Sequence, residues 1–474
     1  MAPSLNPTHV APTSAELELG QYFRNSMIRL FPDELNAEFW QHSMLQASRS
    51  VAALWHASNS VAGFRWAEDL RSTGALDAAD RMFKESVRQH SISLKRTLLI
   101  TQSPRLSAQA MTVVLSANAL LSLAPDAPGD PQESWRILRA NSFRLIRHWK
   151  FWEHIDSGPM STLATQILYY FVKGERLMHE SQLVTPEKPL DTWYEAISWL
   201  QKYPIASAIR AYVELEMIWS SVRSILERRP LKPTSSDVSS ATNARSVLGR
   251  QFAAWEARFD TLLSSTVAIT SRRRAALGAR RILLKVLLRL DLTRFTALWD
   301  ETCWDEFHSE FSDALDLLVW GLAGEDHHGS KSQDQDVHAF SPLHWNSLNF
   351  IARVCREPLL RHRAASLLDA SLRAVVRTLL PAKPTEDAAP AGGPLHSPLV
   401  VHHIINLEEE AYAECCSEQQ KCTHGQFICN MHRVARVQAV GLSANAEYTL
   451  HTVGDILENK PGHIVHIGRP VRWS

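Results

Sequence analysis

The chain has 474 residues, 45% hydrophobic and 21% charged, with 50 Lys plus Arg against 50 Asp plus Glu. At that length one very large domain or two fused lobes can each bury a core, and zero net charge excludes a global field toward nucleic acid or anionic lipid, leaving any DNA contact to a local patch. Six Cys are too few for a disulfide scaffold and favour a reducing compartment.

Residues 1–13 are rich in Pro and small polar residues, with neither a basic start nor an apolar core, and read as a loose tail rather than a secretory signal. Between 38 and 64, Trp40, Met44, Ala47, Val51 and Leu54 recur at steps of three and four, predicting one helix whose stripe faces a core. The same period runs through Phe83, Val87, Leu94 and Leu98, which predicts a second core-facing helix. Residues 106–125 are the least charged stretch, but Ser, Gln, Thr and Asn interrupt them, so they predict a buried helix rather than a membrane span. Trp135, Leu138, Ser142, Leu145 and Trp149 continue the helical period, as do Ile282, Val286 and Leu290, and then Leu292 to Phe295.

Pro, Gly, Ser and charge cluster at 124–131, 229–240, 324–337 and 381–398, which read as surface loops; the last is the longest and the best candidate for a linker. After it comes a helix over 402–416. Alternation over 433–440 and 447–453 around a turn at 443–445 then predicts a β-hairpin, with a weak repeat at 463–467. The fold class is all-α, a large lobe of a dozen or more helices with a small C-terminal β-hairpin. Its parts are a tail over 1–14, a helical region over 15–380, the Pro/Ala/Gly tract over 381–398, and over 399–474 a helix and strands belonging to the same region.

Few residues carry readable chemistry. Cys415, Cys416, Cys422 and Cys429, with His424 and His432, are the one cluster with enough N and S groups for zinc, but its spacings are irregular, and reduced cysteines packed at a helix end are the plainer reading. Arg272, Arg273, Arg274, Arg280 and Arg281 concentrate charge before an apolar helix. They are the candidates for nucleic-acid contact or nuclear import, set against a solvated helix face whose arginines pair with acidic neighbours. The adjacent pairs His327-His328 and His402-His403 would diverge by about 100° on a helix and make no two-ligand site. Glu408, Glu409 and Glu410 read as the solvated side of a helix. Isolated acids such as Asp313 and Asp316 do not form an Asp-rich magnesium motif. Phosphate loops, dinucleotide fingerprints, H-E-x-x-H and G-x-S-x-G elbows do not occur, so no catalytic residue, metal or cofactor is assigned.

Several blocks in order carry a family likeness. Glu38-Phe-Trp-Gln-His-Ser-Met-Leu-Gln-Ala-Ser is followed by Asp80-Arg-Met-Phe-Lys-Glu-Ser-Val, then Ser341-Pro-Leu, then Ala352-Arg-Val-Cys-Arg-Glu-Pro-Leu-Leu-Arg-His-Arg-Ala-Ala-Ser-Leu-Leu, and finally Ile405-Asn-Leu-Glu-Glu-Glu. Together they resemble the regulatory homology region of fungal zinc-cluster transcription factors, and the fourth block, with its Cys-Arg-x-Pro-x-x-Arg pattern, is the most specific. The resemblance implies a helical regulatory region, nuclear action, control of a gene set such as one for secondary metabolism, and homo- or heterodimerisation. The family's six-cysteine zinc module is not in this chain, whose first cysteine is Cys303. The resemblance therefore points to work through other transcription factors or the transcription machinery rather than direct specific DNA binding, and away from membranes and catalysis. The alternative is a small-molecule-sensing module with Trp40, Trp55 and Trp66 near an aromatic pocket, although core packing is their simpler role. An enzyme not readable from spacing comes last.

Overall fold

A computed structural model describes residues 12–26, 35–36, 39–123, 133–180, 193–227, 234–265, 269–291, 301–323, 342–379, 398–417, 429–440 and 446–467. Among them are sixteen α-helices and one three-stranded antiparallel sheet, as the all-α reading with a terminal hairpin expects. The predicted loops at 124–131 and 324–337, the tract at 381–397 and the turn at 443–445 lie outside the described residues. The chain divides into two compact units, one of residues 1–175 and 198–203, the other of residues 176–197 and 204–474.

The first unit holds α1 (Ser14–Asn25), a π-helical turn (Phe39–Met44), α2 (Leu45–Ser50), α3 (Ala52–Ser72), α4 (Leu76–Thr101), α5 (Ala108–Leu121), α6 (Glu133–His148) and the bulk of α7 (Ser161–Glu180). Thr13 opens α1 through a reciprocal capping box with Glu16, which satisfies two otherwise unpaired N–H groups. The single helix predicted over 38–64 is broken. Ser48 and Ser50 turn their hydroxyls back onto the carbonyls of Leu45 and Gln46, a competition with the helical ladder, and Val51 then takes an extended conformation before α3 begins.

Helix α3 is the axis of this unit, in contact with α1, α2, α4 and α5. Leu54, Ala57, Val61, Ala62 and Ala67 are fully enclosed, and so are the polar Asn59 and Ser60. Gly63 sets the closeness of the packing, since a Cβ there would fall 2.1 Å from Ser86 Oγ of α4 and 3.1 Å from Leu19 of α1. Helix α5 is buried from Ala110 to Leu121, as its composition predicts.

The second unit takes in α9 (Ala208–Glu227), α10 (Ser235–Ser264), α11 (Ser271–Arg289), α12 (His308–Ala323), α13 (Pro342–Val354), α14 (Pro358–Leu379), α15 (Pro398–Ser417), β1 (Val434–Val440), β2 (Ala446–Thr452), α16 (Val453–Leu457) and β3 (His463–Ile467); α8 (Tyr194–Leu200) spans the division between the units. The Ser-rich stretch predicted as a loop to 240 is helical from Ser235, because Thr234 and Asp237 form a capping box that starts α10 there. Helix α9 packs on α10 and α11, and α11 packs on α12 and α13. The expected run to Phe295 stops at Arg289; Leu292 and Phe295 fall outside the described residues.

The strands pair in the order β1-β2-β3, with Tyr448 opposite both Ala439 and Val465 and a register irregularity between Val434 and Arg436. Tyr448 and Leu450, two apart on β2, point to the face that meets Val400 and Ile404 of α15. The weak third alternation at 463–467 is thus a full strand, and the sequence on both sides of the Pro/Ala/Gly tract belongs to one unit.

Candidate functional site

The five arginines singled out from the sequence do not form one basic surface. Thr270 caps α11 by accepting from Arg273 N at 3.3 Å, and the helix then turns Arg280 inward, 1% exposed. Its guanidinium lies 3.3 Å over the Trp219 ring and forks onto Glu216 of α9, Nε to Oε2 at 3.1 Å and Nη2 to Oε1 at 2.7 Å. Arg281 pairs with Glu256 and Asp260 of α10, where Lys285 also meets Glu256 at 2.8 Å. Arg274 is exposed, whereas Arg272 and Arg273 are half-buried. Arg280 is therefore a core ion pair and Arg281 a neutralised flank, and neither presents its charge to a phosphate. The reason is tertiary: α9 carries Glu216 in its buried face, and α11 must answer it to avoid leaving a charge uncompensated.

The cysteine cluster is not assembled among the described residues. Cys429 is a buried free thiol, the side chains of Cys415 and Cys416 and all of Cys422 and His424 lie outside the description, and no described group of His, Cys, Asp and Glu could hold a metal ion. His327-His328 also lie outside it. Asp316 is spent on an exposed pair with Arg363, and Trp40 is core.

Glu408 overturns its expected place on a solvated helix side. It is fully buried, and two guanidiniums converge on its Oε2, Arg361 Nη2 at 2.6 Å and Arg433 Nη1 at 2.8 Å, while Val434 N donates to Oε1 at 2.7 Å. Arg361 Nε also donates to the Ala352 carbonyl at 3.1 Å, and Arg433 Nη2 donates to the Arg353 carbonyl at 2.6 Å. Burial pushes the Arg361 guanidinium down, with Glu408 pulling the other way. Close by, Arg356, fully enclosed, reaches Asp305 at 3.0 Å, and burial holds the Cys355 thiol up at about 11, so it stays protonated and inert. This knot ties the α13–α14 corner, the middle of α15 and the start of β1 together. The sequence held one sign of it: Glu408 follows Ile404 by four residues, which puts it in line with the buried stripe of α15.

The second unforeseen feature is α4, whose expected orientation is reversed. Ser86, Gln89, Ser93 and Thr97 face inward, and Val87, Leu94 and Leu98, predicted to face a core, are 43%, 39% and 59% exposed. The cause is α3, which offers α4 polar groups: His56 Nδ1 meets Gln89 Oε1 at 2.6 Å, Ser60 approaches His90 Nδ1 at 3.4 Å, and Ser93 donates to the Ala53 carbonyl at 2.9 Å. Gln89 Nε2 continues to Glu16 Oε1 of α1 at 2.8 Å. Phe83 alone of the predicted stripe is half-buried, edge-on to Phe64 with Arg71 over its ring. The exposed apolar row offers no titratable or nucleophilic group, and an apolar surface of this kind suits contact with another macromolecule better than chemistry.

No described helix is long and apolar enough to cross a membrane. Comparison of the chain with protein-family models, with curated proteins and with solved structures finds no match.

Proposed function

We propose that the chain is a transcription-regulator-like protein that acts in the nucleus on a set of genes, through protein partners rather than through a DNA-reading element of its own. In this reading it makes and breaks no covalent bonds. The observation that carries the reading is the buried knot. The block at 352–368 and the acidic block at 405–410, on which most of the family resemblance rests, meet at Arg361 and Glu408, although 46 residues separate these two in the chain. Blocks that resemble a family one by one, and also close on each other, are what a shared regulatory architecture would produce. The loss of Arg280 and Arg281 to internal ion pairs supports the indirect mode, since phosphate contacts position any protein on DNA before bases are read.

The test is to follow a fluorescently tagged chain in its own cells and to compare transcripts with and without the gene. The expected result is nuclear signal and a coherent group of transcripts changed severalfold. A tagged chain that stays outside the nucleus, with unchanged transcripts on deletion, overturns the reading.

A further inference from the structure

We propose that α4 is a self-docking surface, through which two copies of this chain pair with their α4 helices antiparallel about a two-fold axis passing near Val87. The proposal does not rest on a nuclear role, and its test uses the purified chain.

Helix α4 has 26 residues, about 39 Å of length. At 100° per residue, Leu76, Phe83, Val87, Leu94 and Leu98 fall within about 60° of arc. Of these, Leu76, Val87, Leu94 and Leu98 are 63%, 43%, 39% and 59% exposed, whereas the inward arc is made of Ala79, Ser86, Gln89, Ser93 and Thr97. The row is not a loose core face. The polar bonds from Gln89 and Ser93 to α3 and α1 fix the helix in the rotation that turns the apolar row outward.

The distribution of charge beside the row points to a second copy as the occupant. Near the Leu76 end Asp80 falls within the arc of the row and Asp77 on the arc beside it, and near the Leu98 end Lys95 falls on that same adjoining arc. Leu76 and Leu98 stand eleven residues on either side of Val87, while Lys95 stands eight residues after it and Asp80 and Asp77 seven and ten before it. A two-fold axis at Val87 therefore sets Leu76 of one copy against Leu98 of the other at both ends and brings the two Val87 side chains together. It also drops each Lys95 between Asp77 and Asp80 of the second copy. Two-fold pairing makes every such contact twice. A parallel two-fold pair would instead set Lys95 level with Lys95 and the acids level with the acids, on opposite flanks of the seam, and so offers no such pairing. Among the described residues Asp80 has only an exposed contact with Arg71 at 3.7 Å to give up, an interaction of little worth.

Sedimentation equilibrium on the full chain tests this. The wild type is expected to sediment as a dimer. Val87→Glu/Leu94→Glu, at surface positions that leave the helical circular dichroism unchanged, should loosen the dimer by more than about tenfold. Lys95→Glu alone and Asp77→Lys/Asp80→Lys alone should each weaken it by about tenfold, and the combined charge swap should return it to within about threefold of wild type. A wild type that is monomeric at every concentration overturns the proposal. So does a dimer that is indifferent to Val87→Glu/Leu94→Glu, or a combined swap that fails to restore what either half removed.

Discussion

Glu408 illustrates how much one side chain holds in this protein. It accepts from two guanidiniums and a strand N–H while wholly enclosed, so the desolvation cost of three buried charges is offset only while all three are present. Glu408→Gln keeps the shape and removes the negative charge, leaving Arg361 and Arg433 facing each other. A loss of about 3–5 kcal/mol is expected, read as a lower urea midpoint by tryptophan fluorescence. The other residue-scale test is Gly63. Alanine there would gain helix propensity of about 1 kcal/mol, but its Cβ would collide with Ser86 Oγ at 2.1 Å and crowd Leu19. Overpacking of this kind typically costs about 1–3 kcal/mol, so Gly63→Ala should lower the midpoint despite the better helix former.

At the scale of elements, the seam between α14 and α15 carries two reciprocal pairs: His362 Nε2 with Glu409 Oε1 at 2.8 Å, and His402 Nε2 with Asp369 Oδ2 at 2.7 Å. The partners stand seven residues apart on each helix, which fixes the two as antiparallel. The hydrogen bond and charge of Asp369 raise His402 above its ordinary 6.5. The protonated form is therefore the one the folded protein favours, and its contribution is full below about 6.5 and is lost as pH rises through the raised folded value. Urea midpoints taken from pH 6 upward should fall for the wild type and fall less for His402→Gln; equal slopes would remove the seam from the account. Helix α4 teaches a different lesson at this scale, because which face of an amphipathic helix is buried was settled by the polar side chains its neighbour presents, not by its own pattern.

For the whole molecule the acid side has the opposite sign. Burial holds His344 down at about 3, with the Arg272 charge adding to it, and burial also lowers His90 and, together with His402, His403. His344 stays neutral when folded well into the acid range, and all three rings bind protons more readily when unfolded once pH drops below about 6.5, so the unfolded state is favoured progressively from there downward. Set against His402, this places maximum stability near pH 6.5. Thermal unfolding across pH 4–8 should show that maximum, and His344→Gln, if it folds, should flatten the acid limb relative to wild type.

The amino-acid sequence by itself determined the fold class, the helices whose period it displays and the terminal strands. Long 3.6-residue periods specify helices, and the period-two runs at 433–440, 447–453 and 463–467 specify strands, because these local periods already decide which side chains share a face. Capping pairs such as Thr13 with Glu16 act within four residues, yet composition placed Thr13 and Ser14 in the tail over 1–14, and in the structure they open α1. Tertiary structure alone decided which of those faces is inside. Arg280, Glu408 and Ser93 are polar residues placed on buried arcs, and their burial is favourable only because Glu216, Arg361 with Arg433, and the Ala53 carbonyl await them from distant parts of the chain. A periodic pattern records that a helix has two faces, but the partner that satisfies a buried charge or hydroxyl lies tens of residues away, and only folding brings it within hydrogen-bond reach.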